Sequence, residues 1–161
     1  VNGYNVEVRK WTYGAMQYGC KRDAIAAYEG TLPMLGNGFM RTVYKGARGI
    51  VYKVAGGRGR HAANDNAANV SEYERMVRIG RFDATLATPC TLYMVNGVAI
   101  LAMVLRPGDS ASASGRAWDV LHAKVQRYNR ESGDHIGDMH GQNWRLTPMG
   151  RPTVTDVGDV F

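Results

Sequence analysis

Residues 35–54 read Leu35-Gly36-Asn37-Gly38-Phe39-Met40-Arg41-Thr42-Val43-Tyr44-Lys45-Gly46-Ala47-Arg48-Gly49-Ile50-Val51-Tyr52-Lys53-Val54. Gly36-Asn37-Gly38 is a turn signal. Met40 to Lys45 is rich in β-formers, Gly46 to Gly49 is a second turn, and Ile50 to Val54 is a strand of the buried type. Together with the strand-like pattern that begins at Leu32, these runs read as an antiparallel meander. Two chemical features lie inside it. A glycine turn between strands lets backbone N–H groups approach phosphate oxygens without interference from a Cβ, although an ordinary Asn-Gly hairpin turn has the same sequence. Lys53 stands among apolar β-formers, which puts an ammonium near a core face. Such a charge needs an anion, and a phosphate or a carboxylate would serve. The competing reading is an edge-strand lysine that faces water.

On the C-terminal side, Gly56-Gly57-Arg58-Gly59-Arg60 forms a turn, and a polar Ala/Asn-rich stretch leads into a helix. Val70, Tyr73 and Val77 form one apolar stripe on it. Glu72, or else Glu74, is the carboxylate available to hold Lys53; the alternative is a solvent-facing helix acid. Thr91 to Val95 and Val98 to Leu105 are strands joined at Asn96-Gly97, the strongest short hairpin signal. Arg106 to Arg116 is a linker by composition. Trp118, Leu121, Val125 and Tyr128 mark an amphipathic helix. Short strands follow around Trp144-Arg145-Leu146 and Thr153-Val154-Thr155. On the N-terminal side, residues 4–31 mix aromatic and basic residues and hold a short helix, Asp23 to Glu29, with no legible role. The order β-β-β-α-β-β, linker, α, loop, β-β contains no βαβ repeat. It predicts an α+β protein, not a doubly wound parallel sheet.

The chain has 161 residues and a mass of 17.7 kDa, enough for one domain or two small lobes. With 45% apolar and 21% charged residues it is expected to fold. The longest apolar run, Val98 to Leu105, is too short to span a bilayer, and the first residues, VNGYNVEVRK, hold no apolar signal core. Cys20 and Cys90 form neither a disulfide framework nor a zinc cluster. A soluble, cytoplasmic protein with no membrane partner is the expectation. Charge is uneven: residues 1–81 carry thirteen Lys/Arg against six Asp/Glu, and residues 82–161 seven against eight. A basic half attracts nucleotide phosphates, nucleic acid or an acidic protein, or is simply a solvated surface.

The most specific pattern is Gly137-Asp138-Met139-His140-Gly141-Gln142-Asn143, followed by Thr155-Asp156-Val157-Gly158. Two acids and an amide sit in short loops beside β-rich runs. A Mg-nucleotide site needs one carboxylate to orient an attacking hydroxyl, and an amide and a carboxylate to hold the metal. Polar turn residues alone explain one such cluster, but not the spacing of all three groups.

With these residues in place, the chain resembles the protein-kinase-like superfamily over residues 35–158. The similarity is greatest to compact kinases of tailed bacteriophages and to aminoglycoside-phosphotransferase-like enzymes. LGNGFMRTV is similar to the glycine-rich loop, VYK to the strand bearing the nucleotide lysine, and Asn69-Val-Ser-Glu-Tyr73 to the start of the helix that supplies the lysine's partner, which favours Glu72. Asp138 to Asn143 resembles the catalytic loop, with His140 where many protein kinases have lysine. Asp156-Val-Gly158 resembles the metal-binding D-F-G. The resemblance implies a bilobal fold, with an N-terminal extension at 1–31, an N-lobe at 32–105, a hinge at 106–116 and a minimal C-lobe at 117–161.

It also implies ATP and Mg²⁺ as cofactors, with Asn143 and Asp156 as metal ligands and Asp138, Lys53, Glu72 and His140 as catalytic groups. Gly36, Asn37, Gly38, Val43, Val51, Lys53 and backbone near Leu105 would bind nucleotide. Arg41 replaces the third loop glycine, and Val157 replaces the phenylalanine of D-F-G. The chain stops three residues after Gly158, which reads as truncation after the metal-binding motif.

The resulting expectation is a phage-type serine/threonine protein kinase acting on host proteins in the host cytoplasm. The alternative is a catalytically weak kinase-fold protein that inhibits or redirects a host protein. Gly137 to Gln142 also resembles the G-D-x-H-G-Q of metallophosphatases, but the further ligands of that two-metal site do not follow. The GGRGR segment lacks the interleaved aromatic platform of a single-strand nucleic-acid binder, which argues against nucleic acid as a partner.

Overall fold

The computed structural model of the chain describes residues 3–9, 16–37, 41–55, 62–106, 108–109, 115–137 and 143–155. Among them the protein is α+β, with a six-stranded antiparallel sheet, a three-stranded antiparallel sheet and three helices. None of these helices is long and apolar enough to cross a membrane. The chain divides into two compact units. The first takes Val1–Glu74 and Pro89–Leu105, the second Arg75–Thr88 and Arg106–Phe161. This division differs from the one expected from sequence: residues 1–31 belong to the first unit, and residues 75–88 to the second.

The first unit is built on β1 (Val6–Arg9), β2 (Met34–Asn37), β3 (Arg41–Lys45), β4 (Ile50–Ala55), β5 (Cys90–Val95) and β6 (Val98–Val104), in the order β1-β5-β6-β4-β3-β2. β2, β3 and β4 form an antiparallel meander, but Gly36 and Asn37, expected in its first turn, lie within β2 and pair with Val43 and Thr42, and residues 38–40 lie outside the described residues. Asn96 and Gly97 both have positive φ, 48° and 79°, as a two-residue primed hairpin turn requires between Val95 and Val98. Directly paired residues of an antiparallel sheet point to the same side. The pairs Val43–Lys53, Arg41–Ala55 and Lys45–Val51 therefore put Arg41, Val43, Val51 and Lys53 on one face. Leu101 and Met103 join them through β4–β6, and Leu92 and Cys90 through β5–β6.

Helix α1 (Lys21–Glu29) covers the opposite face. It begins two residues before the expected start, because Cys20 is its N-cap and accepts from the Asp23 N–H. Gly30 ends it at φ 75°, with the Thr31 N–H reaching back to the Ala26 carbonyl. Ala24, Ile25 and Ala27 pack with Tyr52, Tyr93, Ile100 and Ala102. The Cys20 N–H donates to the buried Tyr52 hydroxyl, and Gly46 lies so close that a Cβ there would overlap the Tyr52 ring. Residues 4–31, whose role the composition hides, thus supply a strand at the sheet edge and the cover of one face.

Helix α2 (Ala62–Phe82) follows β4. Its buried face is centred on Asn69, Glu72, Met76 and Ile79, all fully buried, at helical spacing. The sequence stripe Val70, Tyr73 and Val77 is the flank of that face rather than its centre. Asparagine is a poor helix former, and here tertiary hydrogen bonds compensate. Asn66 donates to the Gly97 carbonyl and accepts from the Ala99 N–H. Asn69 donates to the carbonyls of Lys53 and Ala99.

In the second unit, β7 (Gly108–Asp109), β8 (Trp144–Leu146) and β9 (Pro152–Val154) form the small sheet in that order, with α3 (Gly115–Ser132) packed on β9. Leu121, Val125 and Tyr128 are its buried stripe. Residues 106–116 are therefore not a plain linker: Gly108–Asp109 pair with β8, and Gly115 opens α3.

Candidate functional site

Lys53 lies in the centre of β4, and its side chain is 11% exposed. Its ammonium meets the Glu72 carboxylate Oε1 at 2.8 Å, and Glu72 is wholly buried. Glu74 is exposed on the same helix. A half-turn of helix separates the two acids, which is why only one of them reaches the sheet. The partner of Lys53 is thus Glu72, not water. Burial of an ion pair is costly unless its geometry is good and other hydrogen bonds complete it. Those bonds are present. The Arg41 guanidinium Nη1 reaches the same Glu72 Oε1 at 2.9 Å and the Asn69 Oδ1 at 3.1 Å, while the Asn69 amide holds the Lys53 carbonyl at 2.9 Å. Two strands and one helix are tied at a single carboxylate oxygen.

The surroundings of that cluster are apolar. Val43 and Val51 flank Lys53 on the same sheet face, and Leu101 lies across from it on β6. The buried Cys90 thiol sits on that face too. Burial pushes its pKa up, the Glu72 charge raises it further, and the Lys53 charge opposes them, so the thiol stays neutral. It is no nucleophile at ordinary pH. Gly36 pairs with Val43, and Asn37 with Thr42, with a bulge between Met34 and Gly36. Gly38 lies outside the described residues. Leu105, just past β6, is exposed and donates its N–H to the Gly49 carbonyl at 2.7 Å.

In the second unit, Asp138, His140 and Asp156 lie outside the described residues; described residues on their flanks make the following contacts. Before Asp138, the Asn129 side chain brackets Ile136, accepting from its N–H at 2.7 Å and donating to its carbonyl at 3.0 Å. The Arg75 guanidinium donates to the His135 carbonyl at 2.6 Å. Asn143 immediately precedes β8, and its carbonyl accepts from the N–H of Thr155 at 2.9 Å. The β8–β9 register thus sets Asn143 opposite the residue preceding Asp156. Among the described residues no group of three or more His, Cys, Asp or Glu is arranged to hold a metal ion.

Sequence reasoning singled out Lys53 and Glu72, and the structure brings them together. It missed Arg41 as a partner, treating it only as a lost glycine; it gave Asn66 no role and took Asn69 only as the start of the helix, which in fact begins at Ala62. One signal was available: Asn69 stands three residues before Glu72, so the two share a helix face. Arg41 has no local signal, since its carboxylate is distant in sequence.

Compared with known proteins, the chain matches no family model and no curated relative.

Proposed function

We propose that this chain is an ATP- and Mg²⁺-dependent phosphotransferase of protein-kinase-like bilobal fold. It transfers phosphate to serine or threonine of a protein, a host protein if the chain is phage-borne. The observation that carries this reading is the buried Lys53–Glu72 pair, formed between the third strand of the β2–β4 meander and the helix that follows it. A lysine on that strand, oriented by a helix glutamate, is the arrangement protein kinases use on nucleotide phosphates. Supporting it, Val43 and Val51 stand beside Lys53 on one face, as an apolar seat for a nucleobase needs. Asn143 lies across the β8–β9 hairpin from Thr155, next to Asp156 in sequence, as two ligands to one metal require.

In this reading Lys53 binds the α/β phosphates and Glu72 fixes the direction of its ammonium. Backbone of Gly36, Asn37 and Gly38 contacts phosphate, and backbone near Leu105 contacts adenine. Asp138 orients the acceptor hydroxyl, with His140 in the place of the loop lysine. Asn143 and Asp156 are the residues that would hold Mg²⁺, which when bound neutralises phosphate charge. The protein's own contribution is positioning and charge stabilisation.

The test begins with thermal unfolding of the full chain against Mg-ATP. A ligand that binds only the folded state at about 100 times its Kd adds about 2.7 kcal/mol. Wild type is expected to gain stability and Lys53→Met to lose most of that gain. Transfer of the γ-phosphate to a mixed protein substrate should vanish in Asp138→Asn. Failure of millimolar Mg-ATP to stabilise wild type overturns the assignment and favours a nucleotide-independent protein that binds a host target.

A further inference from the structure

Arg41 begins β3, at the position where the resembled loop carries its third glycine. Its side chain is 11% exposed and folds under the sheet, on the same face as Lys53. The Arg41 guanidinium and the Lys53 ammonium converge on one atom, Glu72 Oε1, at 2.9 Å and 2.8 Å. A single carboxylate suffices to orient a single lysine. Here it gathers two cations, one from each of two neighbouring strands. Like charges brought this close repel in a medium of low dielectric, and a polyanion lying between them is attracted by both. A guanidinium also presents a planar fork of five N–H donors, a shape suited to phosphate oxygens.

We propose that Arg41 is a second phosphate-binding residue of the nucleotide site, stationed by Glu72 and Asn69 so that the triphosphate is gripped by two side-chain cations rather than one. This inference rests on the nucleotide reading above and deepens it. It assigns the lost loop glycine a role: the arginine exchanges close backbone approach for a directed charge. The ligand class is a nucleoside di- or triphosphate, and Arg41 acts on its phosphates.

Titration calorimetry of the full chain with Mg-ATP, adenosine and inorganic tripolyphosphate separates the possibilities. Wild type is expected to bind Mg-ATP, with tripolyphosphate competing. Arg41→Met should weaken both phosphate ligands by about 10- to 100-fold, the loss of one charge-assisted contact, and leave adenosine within about twofold. Arg41→Lys, which keeps the charge without the fork, should fall between them, and it carries the test if Arg41→Met does not fold. Wild type that binds Mg-ATP, together with folded Arg41 variants that bind it equally well, overturns this proposal alone and makes Arg41 a structural tie. Wild type that binds neither Mg-ATP nor tripolyphosphate overturns the nucleotide reading, and this proposal with it.

Discussion

Glu72 in the first unit and Asp134 in the second each meet two cations, yet they solve different problems. Glu72 is wholly buried and receives Lys53 and Arg41 on one oxygen at 2.8 and 2.9 Å. Asp134 is a quarter exposed and spreads its contacts over both oxygens. Arg75 lies at 3.4 Å and Arg78 at 3.8 Å, the Tyr128 hydroxyl donates at 2.8 Å, and the N–H of His135 donates at 2.8 Å. The second arrangement is what anchoring a segment of chain requires. Each contact is moderate, water shares the load, and the result is a fixed path from Ser132 to Ile136. The first concentrates charge where the carboxylate is closed off from water and each cation is only 11% exposed, which costs stability unless every partner is present. Residues that accept such a cost tend to be held for chemistry.

The sharpest way to break this contrast is to remove the carboxylate charge on each side. Glu72→Ala leaves Lys53 and Arg41 buried without the anion they share, and removal of one member of a buried ion cluster costs about 3–5 kcal/mol. A urea titration should therefore show a large fall in the unfolding midpoint, with Glu72→Gln recovering part of it through a neutral acceptor. A loss below about 1 kcal/mol would mean that the two cations relax into water, and that the site is far less enclosed than its burial implies.

Asp134→Asn should cost less, about 1–3 kcal/mol, because solvent compensates part of what is lost. Its signature is the pH dependence. Burial raises the pKa of Asp134, but the Tyr128 hydroxyl, the His135 N–H and Arg75 outweigh it, so the folded carboxyl titrates below its ordinary value of 3.8. On acidification the unfolded chain takes up the proton first. The contribution is therefore complete at neutral pH, begins to shrink as pH approaches that ordinary value, and is gone once pH has fallen through the lower folded pKa. The gap between wild type and Asp134→Asn in urea midpoints, measured from pH 7 to pH 2.5, should close along that course. A gap independent of pH would place the effect in packing instead of charge.

What could be read from the sequence follows the range of the forces involved. The β3–β4 and β5–β6 hairpins were legible because their turn residues carry a local conformational requirement, and Asn96-Gly97 states it most plainly. Lys53 was legible because a charge among β-formers demands an anion, and Glu72 because a helix follows at the right distance. Strand β1 was not, since Val6–Arg9 pairs with β5 across some ninety residues of chain and carries no turn signal of its own. Asn66 and Asn69 read as a polar lead-in, because asparagine inside a helix makes sense only once β4 and β6 are beside it. The same holds for Arg41, which looks like a missing glycine until Glu72 arrives.

A smaller change sharpens the Asp134 side of the comparison. Tyr128→Phe removes one hydroxyl and keeps the ring packed edge-on against Phe82 at 5.3 Å. The loss should be about 1 kcal/mol by urea titration at neutral pH, the net worth of one hydrogen bond. It should also shrink to a few tenths in the Asp134→Asn background, because the bond to a charged acceptor is already gone. Full additivity of the two variants would mean that hydroxyl and carboxylate act separately.

The smallest effect belongs to a third acid-cation pair, which sets the baseline for the other two. Arg127 and Glu131 lie one helical turn apart on α3, 2.8 Å from each other, with side chains 67% and 45% exposed. Water at high dielectric screens such a pair, and both long side chains lose rotamer freedom to form it, so its worth is about 0.3–0.5 kcal/mol. Glu131→Gln should shift the urea midpoint barely beyond error at low salt and by less in 1 M NaCl, where the Debye length falls to about 3 Å, close to the separation of the pair. Its bond length matches that of Lys53–Glu72, so Glu131→Gln set beside Glu72→Gln compares an exposed carboxylate holding one cation with a buried one holding two. If Glu131→Gln cost as much as Asp134→Asn, exposure would not be the variable that ranks these three sites, and the distinction drawn between Glu72 and Asp134 would lose its basis.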